Sequence, residues 1–195
     1  MSFFASSSTI VLIVFAALAP QKPGTARLPT APETFRAQAR VSNEAGLAGA
    51  AYVDIHIDKY SADKDREAIV AAFKSGGYPA LLTALKKAPP VGTVKVGSET
   101  FVVRWARQQR SGENKRTISV VTEKPVLFVG GGSANAKPRE GYELAVAQFE
   151  MDDSGVGSGT MAAAAKIKPG GTNGLEIDDY AEQPIKLVSI ARSLS

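Results

Sequence analysis

The chain has 195 residues, is 44% hydrophobic, carries a formal net charge of +4 and contains no cysteine; that is room for one domain with a real core. The charge balance is too mild to demand nucleic acid or an anionic membrane as partner, so no specific nucleic-acid binding is expected. The missing cysteine excludes disulfides, c-type haem attachment, thiolate zinc sites and cysteine nucleophiles, and no cofactor is expected.

Residues 1–26 read as a signal peptide. "TIVLIVFAALA" (9–19) is an uncharged apolar run, short for a bilayer span, and ends in Ala17-Leu18-Ala19. Two features depart from a standard secretory signal: no Lys or Arg precedes the run, and Pro20 follows the obvious cut. Gly24-Thr25-Ala26 offers another cut before Arg27. Removing 1–26 takes away Lys22 and no acid, leaving 22 basic and 19 acidic residues. The expected location is exported, periplasmic or extracellular, with no membrane span after signal removal. No other stretch reads as a crossing.

Residues 27–33 continue a proline-rich segment and read as a linker, and 34–195 as a single α+β domain. "TFRAQARV" (34–41) and "AYVDIHIDKY" (51–60) read as two strands, with glycines 46 and 49 in the turn between them. A helix follows, with Ser61 or Asp63 as its cap and Ile69, Val70 and Phe73 on one face. "SGG" (75–77) stops it, Pro79 opens a second helix with Leu81, Leu82 and Leu85, and Pro89-Pro90 ends that one. The next runs read as strands: "TFVVRWARQQ" (100–109), "KRTISVVTEK" (115–124), "YELAVAQFEM" (142–151), "GTMAAAAKIK" (159–168), "LEIDDYAEQ" (175–183) and "PIKLVSIAR" (184–192). A glycine-rich loop follows the apolar run at 126–129. The fold class is therefore α+β, mainly an antiparallel curved sheet or barrel-like meander, with a two-helix insertion after the second strand. The helix pair would cover one face or plug one end.

Three stretches could carry chemistry. The two-residue period puts Tyr52, Asp54, His56, Asp58 and Tyr60 on one face of their strand, opposite Val53, Ile55 and Ile57. Asp54, His56 and Asp58, around the chain's single histidine, are the candidate metal ligands or acid–base groups. The outer aspartates would lie about 13 Å apart, too far for all three to meet one ion on a straight strand. The bland alternative, a solvated strand face, is favoured. Arg104, Trp105 and Arg107, with Arg110, Lys115 and Arg116 nearby, form a basic, aromatic hairpin that could meet a ligand or partner surface. Alternation places Trp105 and Arg107 opposite Arg104, which favours a solvated rim. "DDSGVGSGT" lacks the third glycine of a dinucleotide loop and the glutamate of a calcium loop, so it reads as a hairpin turn. The alanines after it are expected to face something bulky, the helices. No G-x-S-x-G elbow and no S-x-x-K is present.

Taken together, "DKYSADKDREAIVAAFKSGGYPALLTALKKAPPVGTVKV", "FVVRWARQ", "TEKPVLF", "YELAVAQFEMDDSGVGSGTMAAAAKIK" and "LEIDDYAEQPIKLVSI" resemble a family of uncharacterised exported bacterial proteins. The resemblance runs from about Asp58 to Ile190. It implies an amino-terminal export signal, a single domain and a hairpin at 152–159. It implies no activity, ligand or catalytic residue. The expected function is an exported, non-enzymatic binding or interaction module, with a small apolar ligand or an envelope protein as partner. The alternative is an envelope hydrolase or metal-dependent enzyme using the Asp54-His56-Asp58 face. A third class, an adhesive envelope component, would rest on the basic hairpin.

Overall fold

The computed structural model describes residues 27–42, 48–126, 140–171, 174–181 and 183–193. The expected signal peptide, most of the first turn and most of the glycine-rich loop after residue 126 lie outside these. The strands are β1 (Glu33–Ser42), β2 (Ala48–Ile57), β3 (Gly92–Val96), β4 (Glu99–Gly112), β5 (Lys115–Thr122), β6 (Leu144–Asp152), β7 (Val156–Pro169), β8 (Leu175–Tyr180) and β9 (Ile185–Ser193). They pair antiparallel in the order β6-β5-β4-β3-β2-β1-β9-β7-β8, and a further β6–β7 pairing closes eight of them into a barrel. β8 stands outside the ring. It pairs with the late residues of β7 (Ala165–Pro169), whereas β9 pairs with the early ones (Val156–Met161).

Alternation along each strand fills this barrel. Phe35, Ala37 and Ala39 of β1 face Ile118 and Val120 of β5 and Ala147, Phe149 and Met151 of β6 across one buried cluster. An eight-stranded barrel is narrow enough for its own side chains to occupy the interior. Its members are at most 8% exposed. Gly159 pairs with Phe149, and a Cβ there would sit 2.2 Å from the Gln148 carbonyl oxygen and 2.5 Å from Phe149 Cβ. The glycine on β7 is therefore the space that lets the Phe149 ring lie inward.

A second cluster lies outside the ring. There α1 (Asp63–Lys87) sets Ile69, Leu81 and Leu85 against Trp105, Val121, Leu144, Val146 and Ile167. Ala162 and Ala165 of β7 belong to this cluster and Ala163 to the interior, so the alanine run serves both faces. Where two helices were expected there is one helical segment, broken at Gly76 (φ −149°, ψ 19°) and Gly77 (φ 64°, ψ −153°). Gly77 adopts the left-handed backbone that the "SGG" stop implied. The capping expectation also changes. Ala62 is the N-cap, and its N–H donates to Asp65 Oδ2 at 2.9 Å. Ser61 Oγ instead accepts from Ala106 N–H at 3.2 Å, and Asp63 meets Arg107. By length and composition α1 is apolar enough to cross a membrane, a property the sequence reading assigned to no stretch beyond the first 26 residues. Here Ile69, Leu81 and Leu85 are buried.

Two further elements differ from expectation. β3 is five residues long and was not distinguished in the sequence, because so short a run shows barely two periods. The hairpin at 152–159 is present as β6–β7. Asp152 Oδ1 there accepts from Ser154 Oγ at 2.5 Å and Val156 N–H at 3.0 Å, and Gly155 sits at φ 85°. Gly159→Ala is expected to cost about 1–3 kcal/mol by overpacking. Gly112→Ala, whose Cβ would meet only Lys115 Cβ at 3.8 Å, should stay within about 1 kcal/mol. Chemical denaturation of both variants checks the contrast.

Candidate functional site

Charge enters the barrel interior at one end. Glu33 heads the inward column of β1 above Phe35, and Arg116 heads that of β5 above Ile118, so the same alternation that builds the core also buries these two groups. Their side chains are 4% and 5% exposed. The pair is bidentate: Arg116 Nη2 donates to Glu33 Oε1 at 2.7 Å and Nη1 to Oε2 at 2.8 Å. β1 and β5 are separated by three strands in either direction around the ring, so the ion pair spans the full width of the interior. Tyr60 Oη donates to Glu33 Oε2 at 2.6 Å, and Arg192 Nη1 to Oε1 at 3.3 Å. Gln108 accepts from Arg116 Nη1 at 2.5 Å and donates to the Pro29 carbonyl at 2.6 Å, tying the proline-rich segment to this end. The guanidinium of Arg116 lies 5.7 Å over the Phe35 ring, which meets Phe149 edge-on at 5.2 Å.

Burial is the largest influence on Glu33 and pushes its pKa up. The bonds from Arg116, Tyr60 and Arg192 together outweigh it, so the carboxyl titrates below its ordinary value. Tyr60, desolvated and donating to a carboxylate, is pushed up. A carboxylate saturated by three donors is no general base; it is the closure of the barrel end. Tyr60 was expected on the outer face with His56, but β2 stops at Ile57 and the chain turns inward.

Asp54 and His56 lie on the outer face of β2 and Asp58 just past its end, and the three do not converge on one point. Asp54 accepts from Arg36 Nε at 2.7 Å and Nη2 at 3.0 Å, and that bonding holds its pKa below the usual carboxylate value. His56 Nδ1 is 2.7 Å from Thr34 Oγ1 and Nε2 is 3.1 Å from Asp58 Oδ1. No group of three His, Asp or Glu that could hold a metal occurs among the described residues. The hydroxyl–imidazole–carboxylate chain has the connectivity of a nucleophile relay. It lies on open sheet, with His56 and Asp58 side chains 43% and 61% exposed. β1 and β2 are laddered on both sides, so their backbone N–H groups are engaged in the sheet rather than gathered into an oxyanion hole.

Arg104, Trp105 and Arg107 hold α1. A β-bulge between Val103 and Trp105 turns Trp105 from the interior face of Phe101 and Val103 to the outer one, overturning the simple alternation expected for β4. Trp105 is 1% exposed beneath α1, so its ring is closed to ligand stacking. Arg107 Nη1 donates to Asp63 at 2.8 Å, where α1 begins. Arg104 Nη1 donates to the Ala88 carbonyl at 2.7 Å, where α1 ends, and its Nε and Nη2 bond Glu123 at 2.9 and 2.7 Å. Arg104 also lines a cleft of about 250 Å³ between the two ends of α1, with Lys59, Tyr60, Lys64 and Val91.

No protein-family model matches the chain, and no curated protein and no solved structure is significantly similar to it.

Sequence reasoning missed Glu33, assigned to the linker, and the inward role of Arg116, assigned to the basic hairpin. The signal was present: Glu33-x-Phe35-x-Ala37 and Arg116-x-Ile118-x-Val120 each continue an apolar column. Glu33→Ala leaves Arg116 buried and unpaired and is expected to cost about 3–5 kcal/mol, whereas His56→Ala should stay within about 1 kcal/mol. Because the folded-state pKa of Glu33 is lowered, its contribution is complete above the unfolded value of about 4.3 and is lost as pH falls through the lower folded value. Urea titrations from pH 7 down to pH 3 should show the stability gap between the native chain and Glu33→Gln narrowing on acidification.

Proposed function

We propose that the protein is an exported, non-enzymatic binding module that carries its ligand or partner on the outside of a filled barrel. The observation that supports this most is the interior: apolar side chains occupy it and the Glu33–Arg116 pair spans one end. A ligand therefore finds its surface outside the ring. Apolar inside and polar outside is also the pattern of a barrel surrounded by water, the inverse of a lipid-spanning one. Export is supported by the apolar run at 9–19 and its small-residue ending, and by the resemblance to exported bacterial proteins.

The helical segment belongs to this reading as a fold-back strap. A straight helix of 25 residues would separate its ends by about 36 Å. Asp63 and Ala88 instead reach Arg107 and Arg104, three residues apart on β4. A reversal at Gly76-Gly77 into a helical hairpin reconciles the two.

A second reading, an envelope hydrolase, is supported by the Thr34–His56–Asp58 hydrogen-bond chain. Native mass spectrometry of the full chain expressed with export, purified from a bacterial envelope without added metal, separates them. The binding module predicts loss of an amino-terminal segment of about 26 residues and a reproducible bound mass unaffected by His56→Ala. Ester turnover abolished by His56→Ala, with no bound mass, would replace it by the hydrolase.

A further inference from the structure

The cleft between the two ends of α1 and β4 is lined by more cations than acids. Lys59, Lys64 and Arg104 line it, and Asp65 is its one acid. That carboxylate is committed to the Ala62 N–H at 2.9 Å. Arg104 is compensated by Glu123. Lys59 and Lys64 make no ion pair among the described residues, so with the Asp65 charge counted the cleft keeps a net positive charge. Between them the walls are apolar: Tyr60, Pro89 and Val91.

A buried polar group completes the site. Ser61 lines the cleft and is 9% exposed. Its Oγ accepts from Ala106 N–H at 3.2 Å, and its own proton has no acceptor among the bonds of the described residues. Arg104 is held from two sides, by Ala88 and Glu123, which leaves further guanidinium N–H groups on a side chain already fixed in place.

We propose that this cleft binds a small amphipathic oxyanion, an organic phosphate or carboxylate, with its charged group among Lys59, Lys64, Arg104 and the Ser61 hydroxyl and its apolar body against Pro89 and Val91. A volume of about 250 Å³ approaches the lower end of small-molecule sites, about 300 Å³, and suits a ligand of one ring rather than a lipid. The inference deepens the reading of an outer-surface binding module and rests on it. It also assigns a role to the fold-back of α1, since the cleft is built from residues at both ends of that segment.

The test is a titration of the full chain with phenyl phosphate at low salt, followed by amide chemical shifts, with inorganic phosphate in parallel. Saturable shifts are expected at 59–65, 88–91 and 104. Lys59→Ala and Lys64→Ala, both at exposed positions, should each weaken binding by about fivefold, and so should added salt. Ser61→Ala should weaken it without changing its salt dependence. No saturable shift, or undiminished affinity in the double lysine variant, overturns the site. Inorganic phosphate binding as tightly as phenyl phosphate overturns the apolar half of the assignment. A co-purified mass that persists in the double lysine variant would leave the outer-surface module standing and overturn this cleft alone.

Discussion

One ion pair organises much of this molecule. Glu33 and Arg116 come from strands on opposite sides of an eight-stranded ring and meet in its buried interior. Two charges removed from water cost several kcal/mol each unless geometry and further hydrogen bonds offset the loss. Here the fork is bidentate, and Tyr60, Gln108 and Arg192 satisfy what the pair leaves over. These partners join β1, β5, β4, β9 and the segment after β2. The barrel can therefore close in only one register at this end, since a slip of one residue would carry Glu33 or Arg116 to the solvent face and leave the other buried alone.

The rest of the architecture follows from having a closed, filled ring. Once the interior belongs to the core, the outer surface has to supply both the second hydrophobic layer and the sites of interaction. α1 takes the first task over β4 to β7, with Trp105 as its seat and Arg104 and Arg107 at its two ends. The bulge at Val103–Trp105 makes this possible, because it moves a large aromatic side chain out of the barrel at the point where the helix needs an apolar floor. The same clamping draws residues 59–65 and 88–91 together and leaves the cationic cleft between them. The buried indole Nε1 has no hydrogen-bond partner among the described residues.

The outer face of β1 and β2 shows how similar residue types acquire different standing by position. Asp54 and Asp58 are four residues apart, one on β2 and the other just past its end; the first is locked to Arg36 and the second reaches His56. Their cross-strand neighbours decide this: Arg36 lies opposite Asp54, and Thr34 opposite His56. An exposed aspartate with an arginine opposite it in register is committed before any ligand arrives.

Several features were legible in the amino-acid order itself. Antiparallel strands in series, the helical excursion between β2 and β3, the glycine break at 75–77 and the turn at 152–159 all rest on local rules of period, backbone freedom and capping. Those rules act over a few residues, which is why they can be read from one chain. Glu33 was set aside with its proline-rich neighbours, and Arg116 with a basic hairpin, because nothing within ten residues of either reveals a partner 83 positions away. Ring closure through β6–β7, the displacement of β8 from the ring and the bulge that turns Trp105 outward depend on which strand lies beside which. The sequence thus determined every strand but β3, and the apolar faces wherever no bulge intervened. The tertiary structure alone decided which charges were buried together and which lysines make no ion pair among the described residues, because burial and pairing are properties of distant segments meeting in space.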